Sequence, residues 1–425
     1  MITAALFALF FLFILLSVPV GVAIGAATLL VMELMPGTPP SSLLIKNAIV
    51  GADNFPLVAV PMFILAGEIM LAGGLSSRIV GMAAVLVGRV DAGLAYVNVL
   101  ASMFFAAISG SSPATVAAIG SNLIPEMEKH GYRRDFSAAL TSASGMLGVM
   151  IPPSIPLIIY GVVTNVSLGA LFIAGILPGV LFGVSFMVVA RIIAKRNMLP
   201  LQHGEETIRY ANSNDRAKGG IWALLVPIII LGGIYGGIFT PTEAAGVAVV
   251  YALFVSLFVY KEISLVQLPD ILIRSGRTTA TIMVMVAMAF AFGRFLTIEG
   301  VPSDLATLIT NATTEPIAVL LLLNLVLLIT GMFLEPVAAI IILAPILLPV
   351  ARSVGVDPIH FGIIMTCNLA IGFCTPPVGI NLFVASSIAK VPVEDIIRKI
   401  LPFMIGMLIS MAIVSFFPEI SLLFI

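Results

Sequence analysis

The sequence predicts an all-α polytopic membrane protein built as an inverted repeat, with two re-entrant helical hairpins and two broken helices. Three observations predict it. First, 60% of the 425 residues are apolar and only 10% are charged, against about 25% charged in ordinary soluble domains; the mean hydropathy is +1.20. Second, the apolar residues fall in runs near twenty long, the length a helix needs to cross a bilayer core. Third, proline and glycine recur at a nearly constant spacing between the two halves. A soluble enzyme, a nucleic-acid binder and a disordered chain are excluded, because a soluble fold has too little interior to hide this much apolar surface. Alternating segments of a membrane β-barrel are not seen. The net charge of −1 says nothing about partners.

Taken in order, the apolar stretches are 4–17, 19–34, 56–72, 93–128, 136–165, 170–194, 220–239, 243–260, 276–298, 316–351, 358–388 and 400–424. The first has no lysine or arginine before Lys46, so it lacks the basic start of a secretory signal and reads as a retained membrane passage. Pro19 divides 4–34 into two passages, the alternative being one long tilted helix. The longest polar break, 195–219, carries Lys195, Arg196, Arg209, Arg216 and Lys218 and separates the halves. Pro125, Gly131, Gly148, Pro152 and Pro153 return 224 residues later as Pro349, Gly355, Gly372, Pro376 and Pro377. Pro113 pairs with Pro336, and Gly67 and Gly74 pair with Gly293 and Gly300. These residue types fix backbone geometry, so the matches describe shape, as in the internal repeats of secondary transporters.

Two segments per half are too long for one crossing and broken near the middle. Stretch 93–128 is interrupted at Ser109–Pro113, and 316–351 from Thr330-Gly331 to Glu335-Pro336; both read as hairpins that enter and leave on one side. Stretch 136–165 is broken at Ile151–Pro156, and 358–388 at Thr375-Pro376-Pro377, because tandem prolines remove donors and clash with the preceding turn. With the N-terminus outside and the hairpins not crossing, 17 of the 20 lysines and arginines fall on the inside; Lys46 and Arg352 lie outside and Arg294 within a helix. That is the bias the positive-inside rule requires. Five crossings per half then invert the second copy. The predicted segments are scaffold 1–72; arm, hairpin and broken helix 73–165; scaffold and basic loop 166–275; second arm, hairpin and broken helix 276–388; and a C-terminal scaffold helix 389–425.

The hydroxyl-rich tip Ser109–Thr115, with unwound carbonyls at Gly148–Ser154, supplies the oxygen ligands a hard cation takes. Gly331, Gly372, Thr375, Pro376 and Pro377 form the counterpart, in which Cys374 reads as packing. Helices restarting after each break aim their positive ends at the cavity between. Arg294, an arginine inside a membrane helix, faces a cavity or a partner such as Glu335 or Glu68; its fork suits a carboxylate. Glu243 reads as a helix cap, Trp222 as an interfacial anchor, and His130, His203 and His360 lie in or near loops. No HExxH, GxSxG or Walker loop is present, so the chain is not an enzyme and its energy source is an ion gradient. One cation falling through about 100 mV releases about 2.3 kcal/mol.

The motifs Ser109–Thr115, Ile151–Pro156, Phe239–Gly246, Glu335–Pro349 and Gly372–Gly379 resemble the large membrane subunit of tripartite ATP-independent periplasmic (TRAP) transporters, over nearly the whole chain. The resemblance implies an elevator mechanism and coupling to about two Na⁺ ions. It also implies a separate small four-helix membrane subunit, a periplasmic substrate-binding protein, and an organic acid such as a C4-dicarboxylate or sialic acid as substrate, in a bacterial inner membrane. By motif, one Na⁺ site falls at Ser109, Gly110, Ser111, Pro152 and Pro153, with Gly148 beside it. The other falls at Gly331, Thr375, Pro376 and Pro377, with Gly372. Arg294 is implied as a substrate contact, with Ser112 and Glu335 expected beside it; relatives often show Asp where Glu335 stands. The rival reading is a stand-alone ion-coupled carboxylate transporter of related fold.

Overall fold

A computed structural model describes residues 2–88, 90, 92–195, 216–304, 307 and 315–425, with backbone only at 216–218. The basic loop over 196–215, with Arg196, His203 and Arg209, and Arg89 lie outside the described residues. No strand occurs among the described residues, and seven helices are long and apolar enough to cross a membrane.

The N-terminal stretch is two helices, α1 (Ile2–Leu15) and α2 (Val20–Leu34). Pro19 caps the second, and Ser17 before it has a positive φ of 60°. A methyl at Gly25 would meet the Met288 sulfur at 2.7 Å, while the Phe7 ring lies edge-on to Phe292, centroids 6.0 Å apart. A continuous rod would carry Phe7 away from Phe292, so α1 folds back along α2. Helix α3 (Ser42–Ala52) was not legible as an apolar run, because Lys46 and Asn47 interrupt it.

The first half continues with α4 (Ala59–Ala72) and α5 (Leu75–Val87), then α6 (Gly93–Ser109) and α7 (Ser112–Lys129), which turn back on each other. Gly110, at φ 59°, makes that reversal. Helix α8 (Arg134–Gly145) ends in a 3₁₀ turn, Met146–Val149, and the chain unwinds to 154 before α9 (Ile155–Thr164) begins. Helices α10 (Leu168–Lys195), α11 (Arg216–Tyr235) and α12 (Pro241–Phe254) follow. Thr240 and Glu243 form a capping box at the start of α12, as the sequence suggests.

Helix α13 (Leu268–Ile298) has 31 residues, about 46 Å at 1.5 Å per residue, longer than a bilayer core. Helices α14 (Pro316–Phe333) and α15 (Pro336–Ser353) pack side by side. Here the break is narrower than expected: Thr330 and Gly331 stay helical, and only Leu334 and Glu335 are extended. Pro336 starts α15 where its missing N–H costs nothing. Helix α16 (Pro358–Gly372) unwinds over 373–379 into α17 (Ile380–Ala389), and α18 (Val393–Phe416) and the short α19 (Glu419–Leu422) end the chain. His360 is the third residue of α16, beside the loop that precedes it, and is buried.

Several features of backbone shape recur between the halves. Gly74 and Gly300 have φ of 70° and 72°, and Gly131 and Gly355 both have 82°. Both proline pairs, Pro152-Pro153 and Pro376-Pro377, contain a cis peptide bond. Left-handed residues, Asn165 and Lys390, close α9 and α17.

Polar residues are turned inward. Every residue of α8 from Asp135 to Gly145 and every residue of α16 from His360 to Gly372 is buried. Asn98 of α6 donates to Thr141 at 2.8 Å and accepts from Ser144 at 2.8 Å. In the second half Asn368 of α16 donates to Asn324 of α14 at 2.6 Å, and Ser415 donates to the same oxygen at 3.2 Å. Each asparagine thus ties a hairpin arm to the neighbouring broken helix. Apolar side chains such as Leu321, Leu325 and Ile329 face outward instead, which is stable only where the surroundings are apolar.

Candidate functional site

A cavity of about 440 Å³ lies where the breaks meet. Its lining takes in the hairpin tip Ser109–Ala114, with Val149, Ile155, Pro156, Glu335, Val337, Phe373 and Ile380, and also Ile64, Gly67, Glu68 and Leu71 of α4 and Thr278, Thr281, Ile282 and Met285 of α13. Gly67 packs on the tip, a methyl there lying 3.6 Å from the Ser109 Cα. The lining contains the opening residues of α7, α9, α15 and α17. A helix start carries a partial positive charge; at α15 the Glu335 carboxylate already accepts from the Ala338 N–H at 3.3 Å, and at α9 the Ser154 hydroxyl accepts from the Leu157 N–H. Two carboxylates, Glu68 and Glu335, line the cavity.

Of the expected site residues, Ser109, Gly110, Ser111, Ser112 and Glu335 line this cavity. Gly148, Pro152 and Pro153 lie just behind the tip. A methyl at Gly110 would meet the Pro153 carbonyl at 2.8 Å, and one at Gly148 would overlap the Ser111 carbonyl. The Thr115 hydroxyl donates to the Ser111 carbonyl at 2.8 Å and lies 3.0 Å from the Ser109 hydroxyl. Thus hydroxyl and carbonyl oxygens crowd one point with no carboxylate among them. In the second half Gly372 lies so close to Gly331 that a methyl would overlap its carbonyl. The Val378 N–H donates to the Met332 carbonyl at 3.4 Å, and the Thr375 carbonyl lies beside Gly379. Asn368, one turn before Gly372, is fully buried and its Oδ1 has no hydrogen-bond partner. The amide of Asn368 is turned towards Asn324 and the Ile364 carbonyl, one turn further from the break. No cluster of His, Cys, Asp or Glu among the described residues could hold a metal.

The structure does not bring Arg294 to the cavity. It is exposed and sits one turn before α13 ends, nine residues beyond Met285, about 14 Å along the axis. Glu68 is instead met by Arg274, Nε to Oε2 at 3.4 Å.

Sequence reasoning missed Asn381. Its Nδ2 donates to the Ser112 hydroxyl at 2.8 Å and to the Ser142 carbonyl at 3.0 Å; its Oδ1 accepts from Ser112 at 3.1 Å. The Cys374 thiol donates to the same Ser142 carbonyl at 3.2 Å. Four segments from both halves are joined at this fully buried point. A buried asparagine just past a tandem-proline break was the available signal.

Paired breaks, converging helix starts and outward apolar faces define a multi-pass helical membrane transporter. Over residues 7–420 the sequence matches the family described as tripartite ATP-independent periplasmic transporter, DctM component, and the chain belongs to that family. It is 45% identical over 420 residues to the isethionate TRAP transporter permease protein DctMQ of Oleidesulfovibrio alaskensis, covering 99% of this chain and 66% of that longer one. It is 44% identical to the C4-dicarboxylate large permease DctM of Pseudomonas aeruginosa, covering 87% of this chain and 86% of that one. It is 39% identical to the sialic acid large permease SiaM of Vibrio cholerae, covering 88% and 87%. The crystal structure of the Alcanivorax borkumensis YdaH transporter is similar in fold, with a TM-score of 0.65 over 98% of both chains at 14% identity. The chain is therefore a large permease subunit, multi-pass in a bacterial inner membrane.

Proposed function

We propose that this chain is the translocating subunit of a Na⁺-driven importer for a small organic acid. The acid is handed over by a periplasmic binding protein, and a small membrane subunit stands alongside. The observation that carries this reading is the cavity lined by the starts of four helices together with α4 and α13. Positive helix ends favour an anion. The relatives' named cargoes, isethionate, C4-dicarboxylates, sialic acid and 2,3-diketo-L-gulonate, are all acids.

Sodium supplies the driving force by moving down its own gradient. Ser109, Gly110, Ser111, Gly148, Pro152 and Pro153 would hold one ion through carbonyl and hydroxyl oxygens; Gly331, Gly372, Thr375, Pro376 and Pro377 would hold a second. Each site backs a helix start that lines the cavity, so an ion there strengthens the positive field an anion meets. The hairpins and broken helices, which contribute the lining residues from Ser109 to Pro156 and from Glu335 to Ile380, would form the moving body. Helices α4 and α13 would form the stationary wall against which it slides.

The test is uptake of radiolabelled succinate, isethionate, N-acetylneuraminate or 2,3-diketo-L-gulonate into proteoliposomes. These hold the chain and its small subunit, with the matching binding protein added. Accumulation of one acid that needs both an inward Na⁺ gradient and the binding protein is expected. Uptake of the same size without either overturns the reading.

A further inference from the structure

The cavity poses a charge problem. Its lining contains Glu68 and Glu335 and, among the described residues, no lysine, arginine or histidine. An organic acid entering it meets two carboxylates, offset only by helix starts. Two arginines of α13 adjoin the lining. Arg277 directly precedes Thr278, and its carbonyl accepts from the lining Thr281 hydroxyl at 3.1 Å. Arg274 stands one turn before Thr278, whose hydroxyl donates to the Arg274 carbonyl at 3.3 Å. Arg274 is singled out by its side chain, which contacts a lining residue. Its guanidinium reaches across to Glu68 of α4. The contact is a loose one: a single Nε–Oε2 approach of 3.4 Å, with the two side chains 56% and 29% exposed. Exposed pairs of this kind are weak and open at little cost. The fork of Arg274 is therefore not used in the two-point manner that suits a carboxylate or sulfonate.

Position supports the same conclusion. The apolar run of α13 begins after Arg277, so Arg274 sits before it, at the end of the span and one turn from the lining residue Thr278. There an arginine can stay hydrated until a ligand arrives, which an arginine in mid-membrane cannot.

We propose that Arg274 is the substrate-anion contact at the cavity rim, held by Glu68 while the cavity is empty and transferred to the oxyanion of the substrate when it binds. Glu68 acts as the competitor for that arginine. The inference rests on the organic-acid reading above and names the residue that recognises the acid's charge.

The assay is the proteoliposome uptake just described, with whichever of the four acids the wild type accumulates and with binding protein and Na⁺ held constant. Arg274→Ala is expected to raise the half-saturating acid concentration by about tenfold, the scale of one lost charge-assisted contact. Arg274→Lys is expected to raise it less, about threefold, because a point charge replaces a fork. Glu68→Gln is expected to lower it, by about two- to fivefold, since the competing carboxylate is gone. These opposite signs separate a substrate contact from a structural ion pair, in which either loss would impair transport alike. Should Arg274→Ala not assemble, the opposed shifts of Arg274→Lys and Glu68→Gln carry the test. The inference is overturned if Arg274→Ala and Arg274→Lys both stay within twofold of wild type. It is also overturned if Glu68→Gln shifts in the same direction as the arginine variants, or if Arg277→Ala, one turn away, costs as much as Arg274→Ala. A wild type that moves none of the acids refutes the organic-acid reading itself; a working wild type with indifferent Arg274 variants refutes only this step.

Discussion

Replacing Asn381 by alanine is the sharpest structural test of the junction between the halves. The side chain is fully buried, as are Ser112 and Ser142. Alanine deletes the bonds to Ser112 at 2.8 and 3.1 Å and to the Ser142 carbonyl at 3.0 Å. The Ser142 carbonyl keeps the Cys374 thiol, but the Ser112 hydroxyl is orphaned. Three bonds lost at about 1 kcal/mol each, plus about 1–3 kcal/mol for the orphaned hydroxyl, give about 4–6 kcal/mol. In a Ser112→Ala background no hydroxyl remains to be orphaned, so the same substitution should cost about 1–2 kcal/mol. Reversible unfolding in mixed micelles of wild type, both single variants and the double variant yields the coupling directly. A cycle that is additive within about 0.5 kcal/mol would refute the claim that this hydrogen-bonded pair joins the first hairpin tip to the second broken helix.

Three further outcomes are expected. Gly372→Ala should fail to assemble or lose at least about 3 kcal/mol, because its methyl meets the Gly331 backbone carbonyl rather than a yielding side chain; a wild-type melting profile in detergent would contradict the close approach. Ser109→Ala should raise half-saturating Na⁺ for uptake roughly tenfold, while Ser111→Ala, which keeps the carbonyl that Thr115 contacts, should change it little; equal effects would remove the distinction. At the start of α8, burial alone would raise the Asp135 pKa, but the Arg133 fork at 3.0 and 2.5 Å and the Phe136 N–H outweigh it and hold the carboxyl below its ordinary value. A depressed folded-state pKa contributes stability at neutral pH that disappears as pH falls through that pKa. The stability gap between wild type and Asp135→Asn should therefore narrow on acidification; melting curves showing a gap independent of pH down to about pH 3 would count against the fork.

The sequence by itself determined the class, most of the helical segments and the breaks at Gly110 and at the two proline pairs. Hydropathy reports which environment a segment tolerates, and proline and glycine act on the backbone at their own positions. The stops at Gly110, Pro152-Pro153 and Pro376-Pro377 are local events of this kind, readable without knowing any neighbour. Thr330 and Gly331 show the limit of that logic: glycine permits a break but does not impose one, and the helix ran on to Phe333. Helix α3 escaped notice because its apolar face is interrupted by Lys46 and Asn47.

Tertiary structure alone decided which charges and amides meet. Arg294 and Arg274 are both arginines on one helix, and composition favoured the one deeper in the apolar run. Only the packing of α13 against α4 places Arg274 beside Glu68 and leaves Arg294 about 14 Å along the axis from Met285. Asn381 joins Ser112 across 269 residues, a pairing no local pattern encodes. Its strength comes from the absence of water, and burial of that kind is a property of the assembled fold.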